Sequence, residues 1–285
     1  MRAHAAVAAE RVYTAEGMAR TRLVRLRSQA PLSLHPNLLA LPLRLRHWLR
    51  DPRSGVSVSL AAGAAGPLGG DRLRLDIDVA EGATLMLSAV AATVLLPGPH
   101  AEESRSIVNI RVAAGAALLW FPGMQIAAEG CRHSTVTRVE LAPDARLHMR
   151  EGLILGRHGE RPGEFRQRLR ITQGDVPLYD QELAVGAGTP GWEGSAVTGG
   201  RRALGAVITV DRDEDRMTSF GTAVSPAFPD TAVLRVSERC VVITSVAPDA
   251  LALRQRLDAA LWQTDNCART AQDERNETAV AAPVG

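Results

Sequence analysis

The sequence contains no lysine: all 33 of its basic residues are arginine. A P-loop needs a lysine after its glycines, and Schiff-base chemistry needs a lysine amine, so both are excluded. Aromatic residues are scarce too, with four Trp, two Tyr and four Phe in 285 residues. That leaves little material for base-stacking platforms and predicts a core of Ala, Val, Leu and Ile. Cys131, Cys240 and Cys267 are the only cysteines. Few, odd in number and widely spaced, they argue against a disulfide framework and for a reducing compartment. The sequence has no H-E-x-x-H, no G-x-S-x-G and no C-x-x-C. Its longest apolar stretch, residues 83–97, falls short of the ~20 residues of a helical membrane span. The apolar patch at the amino terminus is too brief for a signal peptide. A cytoplasmic protein that does not bind membranes is expected.

Net charge is only +2, but it is unevenly spread: residues 1–60 hold ten Arg against three Asp and Glu. This could be a nucleic-acid footprint. In "PLRLRHWL", however, Leu43 and Leu45 alternate with Arg44 and Arg46, which puts the arginines on the outer face of a strand. Solvated strand faces are the reading adopted, with no nucleic-acid partner; an Arg-rich nucleic-acid-binding module is kept as an alternative.

What is abundant is period two. In "RLRLDIDV", Leu73, Leu75, Ile77 and Val79 alternate with charged residues, as in a half-buried strand. Residues 21–29, 55–60, 106–112, 134–141, 164–171, 231–236 and 239–245 are further strand candidates. A weak repeat underlies them: "VAEGATLML", "VAAGAALLW" and "LAPDARLHM" begin at Val79, Val112 and Leu141, 33 and then 29 residues apart. Each places a two-residue turn ending in Gly82, Gly115 or Asp144 between apolar segments, and Gly and Asp suit such turns. Equal spacing of strand–turn–strand units predicts a layered or helix-like stack of β-strands. "VAPDALAL" is not a fourth copy, because Pro248-Asp249 opens a helix with Leu253, Leu257 and Leu261 on one face. The expectation is a mainly β protein: one domain over residues 1–267 with a short C-terminal helix, then a disordered tail over 268–285. Residues 185–202, rich in glycine, read as a long loop.

Two places attract chemical interest. Cys131 and His133, two apart on a strand, project to one face, and thiolate plus imidazole suits nickel or zinc. With nearby acids they could also serve a β-rich metal-dependent hydrolase. The second place is "EGLILGRHGERPGE", residues 151–164. It lacks the lysine of a phosphate cradle, and as a catalytic loop it has no partner for Glu151 or Glu164. A structural corner fits best: Gly156 and Gly163 permit sharp turns, and Arg157 can pin them through a bidentate bond to Glu151 or Glu164.

These residues also carry a resemblance. Glu151, Gly156-Arg157 and Gly163-Glu164-Phe165 resemble the central signature of the UreD (UreH) urease accessory proteins. "APLSLHPN" (30–37), "GPLGGDRLRLDIDV" (66–79) and "GAALLWFPGMQIAAEGCRHSTVTRVEL" (115–141) are similar to flanking elements of that family, in the same order. The sequence departs from the family pattern at "LSAVAATVLL" and at Thr244-Ser245. The resemblance implies a non-enzymatic scaffold of urease maturation that joins an F-type accessory protein and a G-type accessory GTPase on the urease apoprotein. It further implies transient nickel, no tightly bound cofactor, and an internal polar path for the ion. Asp71, Glu151, Arg157 and Glu164 are the candidate motif residues for that path. Weak oxygen ligands, rather than a closed site, suit an ion that must be passed on.

Overall fold

A computed structural model describes the backbone of residues 9–15, 22–28, 32–37, 55–62, 65–212, 217 and 230–261. Cys267 and the expected tail over 268–285 lie outside the described residues. The chain opens with β1 (Ala9–Ala15), β2 (Arg22–Ser28), β3 (Leu32–Asn37), β4 (Gly55–Ala62), β5 (Arg72–Val79) and β6 (Thr84–Ala89). It continues through β7 (Thr93–Leu95), β8 (Ser104–Val112), β9 (Ala117–Phe121), β10 (Met124–Ala127), β11 (Arg132–Leu141) and β12 (Arg146–Leu155). The last strands are β13 (Glu164–Gln173), β14 (Val176–Val185), β15 (Ala203–Val210), β16 (Thr231–Arg235) and β17 (Cys240–Ala247). A helix, α1, follows over residues 250–261. The protein is thus mainly β, a solenoid-like stack of coils, and each expected strand that falls on described residues is present within a few residues of its expected ends; the strand expected around Leu43 to Arg46 lies outside the described residues.

The strands form two facing sheets. One runs β1-β2-β5-β8-β11-β13-β14; the other runs β16-β17-β15-β12-β9-β6-β4-β3, with β7 and β10 attached beside β12. Each coil crosses from the first sheet to the second through a tight turn. The sequence repeat sets the register: Val79 lies beside Val112 and Val112 beside Leu141 in the first sheet. Thr84, Ala117 and Arg146 line up in the second with the same offsets of 33 and 29. Turn bonds from Ala83 N to Ala80 O, Ala116 N to Ala113 O and Ala145 N to Ala142 O span 3.0 to 3.1 Å. Gly82 and Gly115 sit at φ +65° and +64°, where a side chain would be strained. Asp144 makes the equivalent turn without a left-handed φ. The stack is close: Gly82 N donates to Ala114 O at 2.8 Å, and Ala83, Ala116 and Ala145 are almost wholly buried one above another.

The main core lies between the sheets, nearest these turns, where Leu85, Leu118 and Leu147 meet Ile77, Ile110 and Ile171. A second cluster fastens α1 to the outer face of the other sheet, through Leu253 and Leu257 against Val207, Val241 and Ile243. The Asp249 side chain accepts from Ala252 N at 2.8 Å, the N-cap that opens the helix. A third, smaller cluster fills the far rim with Leu153, Leu155, Phe165 and Val185.

Candidate functional site

The strand pattern that builds the core also carries a carboxylate into it. Along β12, Leu147 and Met149 enter the main core while Leu153 and Leu155 enter the smaller one. Glu151 shares their parity, so it projects between the sheets, where the two apolar clusters part. Burial pushes its carboxyl up to about 7, and the Gln167 amide offsets part of that shift. On β13, Gln167 likewise stands between Phe165 and Leu169. Polar residues on the neighbouring strands continue the level. Gln167 is the register partner of Thr135 on β11, and His133 is that of Ser104 on β8. Ser104 Oγ is hydrogen-bonded to His133 Nδ1 at 2.7 Å, and His133 Nε2 to Thr135 Oγ1 at 3.0 Å. These three residues are 1–5% exposed. On β10, Gln125 Oε1 is the one buried side-chain N or O among the described residues without a hydrogen-bond partner. The space between the sheets therefore holds one carboxyl, Glu151, bonded to the Gln167 amide, with a row of hydroxyls and a neutral imidazole on the neighbouring strands.

At the rim beside this space, residues 156–163 carry the chain from β12 to β13. Gly156 adopts φ +78°. At Gly163 a side chain would meet Cys131 Sγ at 2.5 Å, so close approach, not a left-handed φ, requires that glycine. The expected pin is corrected here. Arg157 bonds neither Glu151 nor Glu164; its partner is Glu160, with Nε donating to Oε1 at 2.8 Å. The Glu160 carboxylate also accepts from the backbone N–H groups of Arg157 and Glu129 at 3.1 and 3.3 Å. The Arg157 bond, first among these contacts, holds Glu160 down at about 2. Gly156 N and Gly163 N fasten the ends of the loop to Ala127 O at 2.9 and 3.1 Å, and Arg202 adds to this, its Nη2 donating to the carbonyls of Leu155, Arg157 and Glu160 at 2.6, 3.2 and 2.7 Å.

The remaining candidates are separate. Glu164 pairs with Arg132 on the outer face at 3.1 Å. Asp71 caps a turn, accepting from Leu68 N at 2.8 Å, and its carbonyl accepts from Arg105 N at the start of β8. Three strand spacings separate it from β13, roughly 14 Å. Cys131 ends the turn before β11 rather than lying within that strand, and it packs in the rim cluster with Phe165. Its thiol is pushed up to about 11, by burial and then by the charges of Glu164 and Glu160. His133 stacks on Phe165 at 6.1 Å, and burial lowers its imidazole to about 4. Hydroxyls engage both its ring nitrogens. Among the described residues no three His, Cys, Asp or Glu side chains converge on a metal-sized point.

Comparison with known proteins decides the lineage. The family described as "UreD urease accessory protein" matches residues 3–278. The chain belongs to the UreD family. It is 42% identical over 226 residues to "Urease accessory protein UreD 3" of Streptomyces griseus, covering 77% of this chain and 86% of that protein. It is 41% identical over 225 residues to "Urease accessory protein UreD" of Streptomyces avermitilis, with 77% and 86% covered. The protein of the same name from Frankia alni is 36% identical over 288 residues, with 91% and 92% covered. Membership of the UreD family supports a role in urease maturation. No helix among the described residues is long and apolar enough to cross a membrane.

Proposed function

We propose that this UreD protein is a non-catalytic cytoplasmic scaffold that couples nickel incorporation to activation of the urease apoprotein, bridging F-type and G-type accessory proteins to urease. Nickel is cargo in this reading and is never held tightly. The observation that supports it is Glu151, a carboxyl between two apolar clusters, bonded to the Gln167 amide and accompanied by neutral polar side chains on the neighbouring strands. A hard-oxygen environment with one titratable ligand binds a divalent cation weakly enough to release it. A half-buried ionisable group set between two apolar clusters is costly and needs such a reason. The Gln167 amide and the hydroxyls of the neighbouring strands supply further oxygens, while Arg157, Glu160 and Arg202 fix the loop that closes this space at the rim.

The test is co-expression of the Glu151→Gln variant with urease and its accessory proteins. Complex recovery should equal wild type, while nickel per urease active site, read by elemental analysis, should fall about tenfold. Undiminished nickel with an intact complex would exclude the carboxyl from the path. Failure of the wild-type chain to copurify with any urease component would exclude the scaffold role itself.

A further inference from the structure

We infer that the outer face of the seven-stranded sheet is a docking surface for the acidic face of a partner protein. The central strands β5, β8, β11 and β13 of this sheet run parallel, and parallel sheets are normally covered on both sides. Here no described element covers the side turned away from the core, with the Arg111 side chain 72% and Arg166 62% exposed.

Three successive rows across that face are rich in arginine. Arg72, Arg105 and Arg166 share the first row. Arg74 and Arg168 flank Ile107 and Val136 in the second, and Arg138 stands beside Arg170 in the third. Strand and row spacings make this a lattice of about 4.8 by 6.7 Å. Against these seven guanidiniums stand three carboxylates, Asp76, Asp180 and Glu182, paired with Arg74, Arg168 and Arg166. Arg105 and Arg138 form no ion pair with another described residue, while Arg170 stands opposite Asp180 in the β13–β14 ladder and adds to the positive field on that carboxylate. The excess is concentrated in these three rows, since the flanking rows pair Arg111 with Glu140 and Arg132 with Glu164; such a concentration, in a chain of net charge +2, attracts acidic surfaces.

The pattern favours a protein over a nucleic acid. Carboxylates interrupt the lattice and would repel a continuous phosphate chain, whereas a mixed protein surface with an acidic excess accommodates them. Ile107 and Val136 provide a small apolar centre within the arginines, the arrangement of a protein interface with an apolar middle and a charged surround. Towards the tight turns the face ends in a groove where Asp78, Glu140 and Asp175 accompany Arg111 and Arg170, so the arginine excess belongs to the three rows above it and not to the groove.

Naming the partner as a urease component rests on the maturation reading; the chemistry of the surface does not. The full chain, wild type or Arg138→Glu/Arg170→Glu, is co-expressed with urease apoprotein and the F-type protein, and recovery is measured at low and high salt. Wild-type capture should weaken with salt, and the reversal should lower it about tenfold. Arg254→Glu on α1 should leave it unchanged. Equal capture by both reversal and wild type overturns the docking surface and leaves the maturation reading intact. If wild type captures no urease component, that reading fails. Anisotropy with a labelled oligoglutamate peptide and a DNA duplex of equal charge then decides the surface: salt-sensitive peptide binding lost on reversal sustains it, whereas preference for the duplex overturns it. A self-association lost on reversal would make the occupant a second copy and likewise overturn it. Should the reversal fail to fold, Arg138→Gln/Arg170→Gln replaces it in each comparison.

Discussion

Arg202 and Glu160 lie 42 residues apart in sequence, yet Arg202 Nη2 donates to the Glu160 carbonyl oxygen at 2.7 Å. With its bonds to Leu155 and Arg157 this guanidinium is the side chain that gathers three carbonyls of the 156–163 corner, beside the backbone bonds of Gly156 and Gly163 to Ala127 O. Arg202→Ala should therefore destabilise the protein by about 1–2 kcal/mol, since charge-assisted bonds to backbone carbonyls are lost at a partly exposed site. Chemical denaturation checks this. Arg157→Ala should cost less, because Glu160 keeps its backbone donors. The reverse ranking would put the fastening back on Arg157.

Glu151 gives a pH dependence of unusual sign. Its carboxyl stands at about 7 in the folded protein against an ordinary 4.5, so the folded state holds the proton more tightly than the unfolded one. The resulting stability is complete below about pH 4.5 and is lost as pH rises through about 7. Glu151→Gln should match wild type near pH 4.5 and exceed it at pH 8, by on the order of 2–3 kcal/mol at most. A constant difference between the two across that range would contradict the assignment. A more stable protein that delivers less nickel is the outcome expected of a residue kept for function.

His133 works in the opposite direction. Its imidazole is lowered to about 4 by burial, so it folds neutral; its contribution is complete above about pH 6.5 and lost as pH falls through 4. Nitrogen chemical shifts of the ring at pH 5.5 should report a neutral imidazole. A protonated ring at that pH would mean that Ser104 and Thr135 enclose it less completely than the geometry indicates.

Gly163 tests the packing of the corner. A methyl group there would meet Cys131 Sγ at 2.5 Å and Cys131 O at 2.8 Å. Gly163→Ala should lower stability by about 2 kcal/mol or more. Adding Cys131→Ala should not restore it, because the backbone carbonyl stays in place. Full rescue by the double change would show that the thiol alone sets the constraint.

Much of this architecture is legible before any coordinates. The alternation of Leu73 to Val79 identifies β5 and its inward face, and the 33- and 29-residue spacings are the register offsets of the parallel ladders. Asp249 marks the start of α1. The same parity places Glu151 inside, since Leu147, Met149, Leu153 and Leu155 share its phase; the glycines at 152 and 156 and the charges beyond them mask that phase in the sequence. Gln167, between Phe165 and Leu169, was visible in the same way. Arg202 was not legible: its acceptors are carbonyl groups, which every residue has. Glu160 was missed because two other carboxylates of the same stretch stood nearer in motif terms to Arg157. Gln125 lies on a four-residue strand too short to show a period.

The stacked turns at Gly82, Gly115 and Asp144 have a consequence for how such a chain can change. They count residues closely, because a residue added between Val79 and Thr84 would either break the tight turn or slip β6 by one and invert its facing. The opposite rim has no such counter; there the connections differ in length from coil to coil while the ladders stay aligned. Novelty in length can accumulate on that side alone, leaving one border of the molecule a fixed ruler and the other a margin for variation.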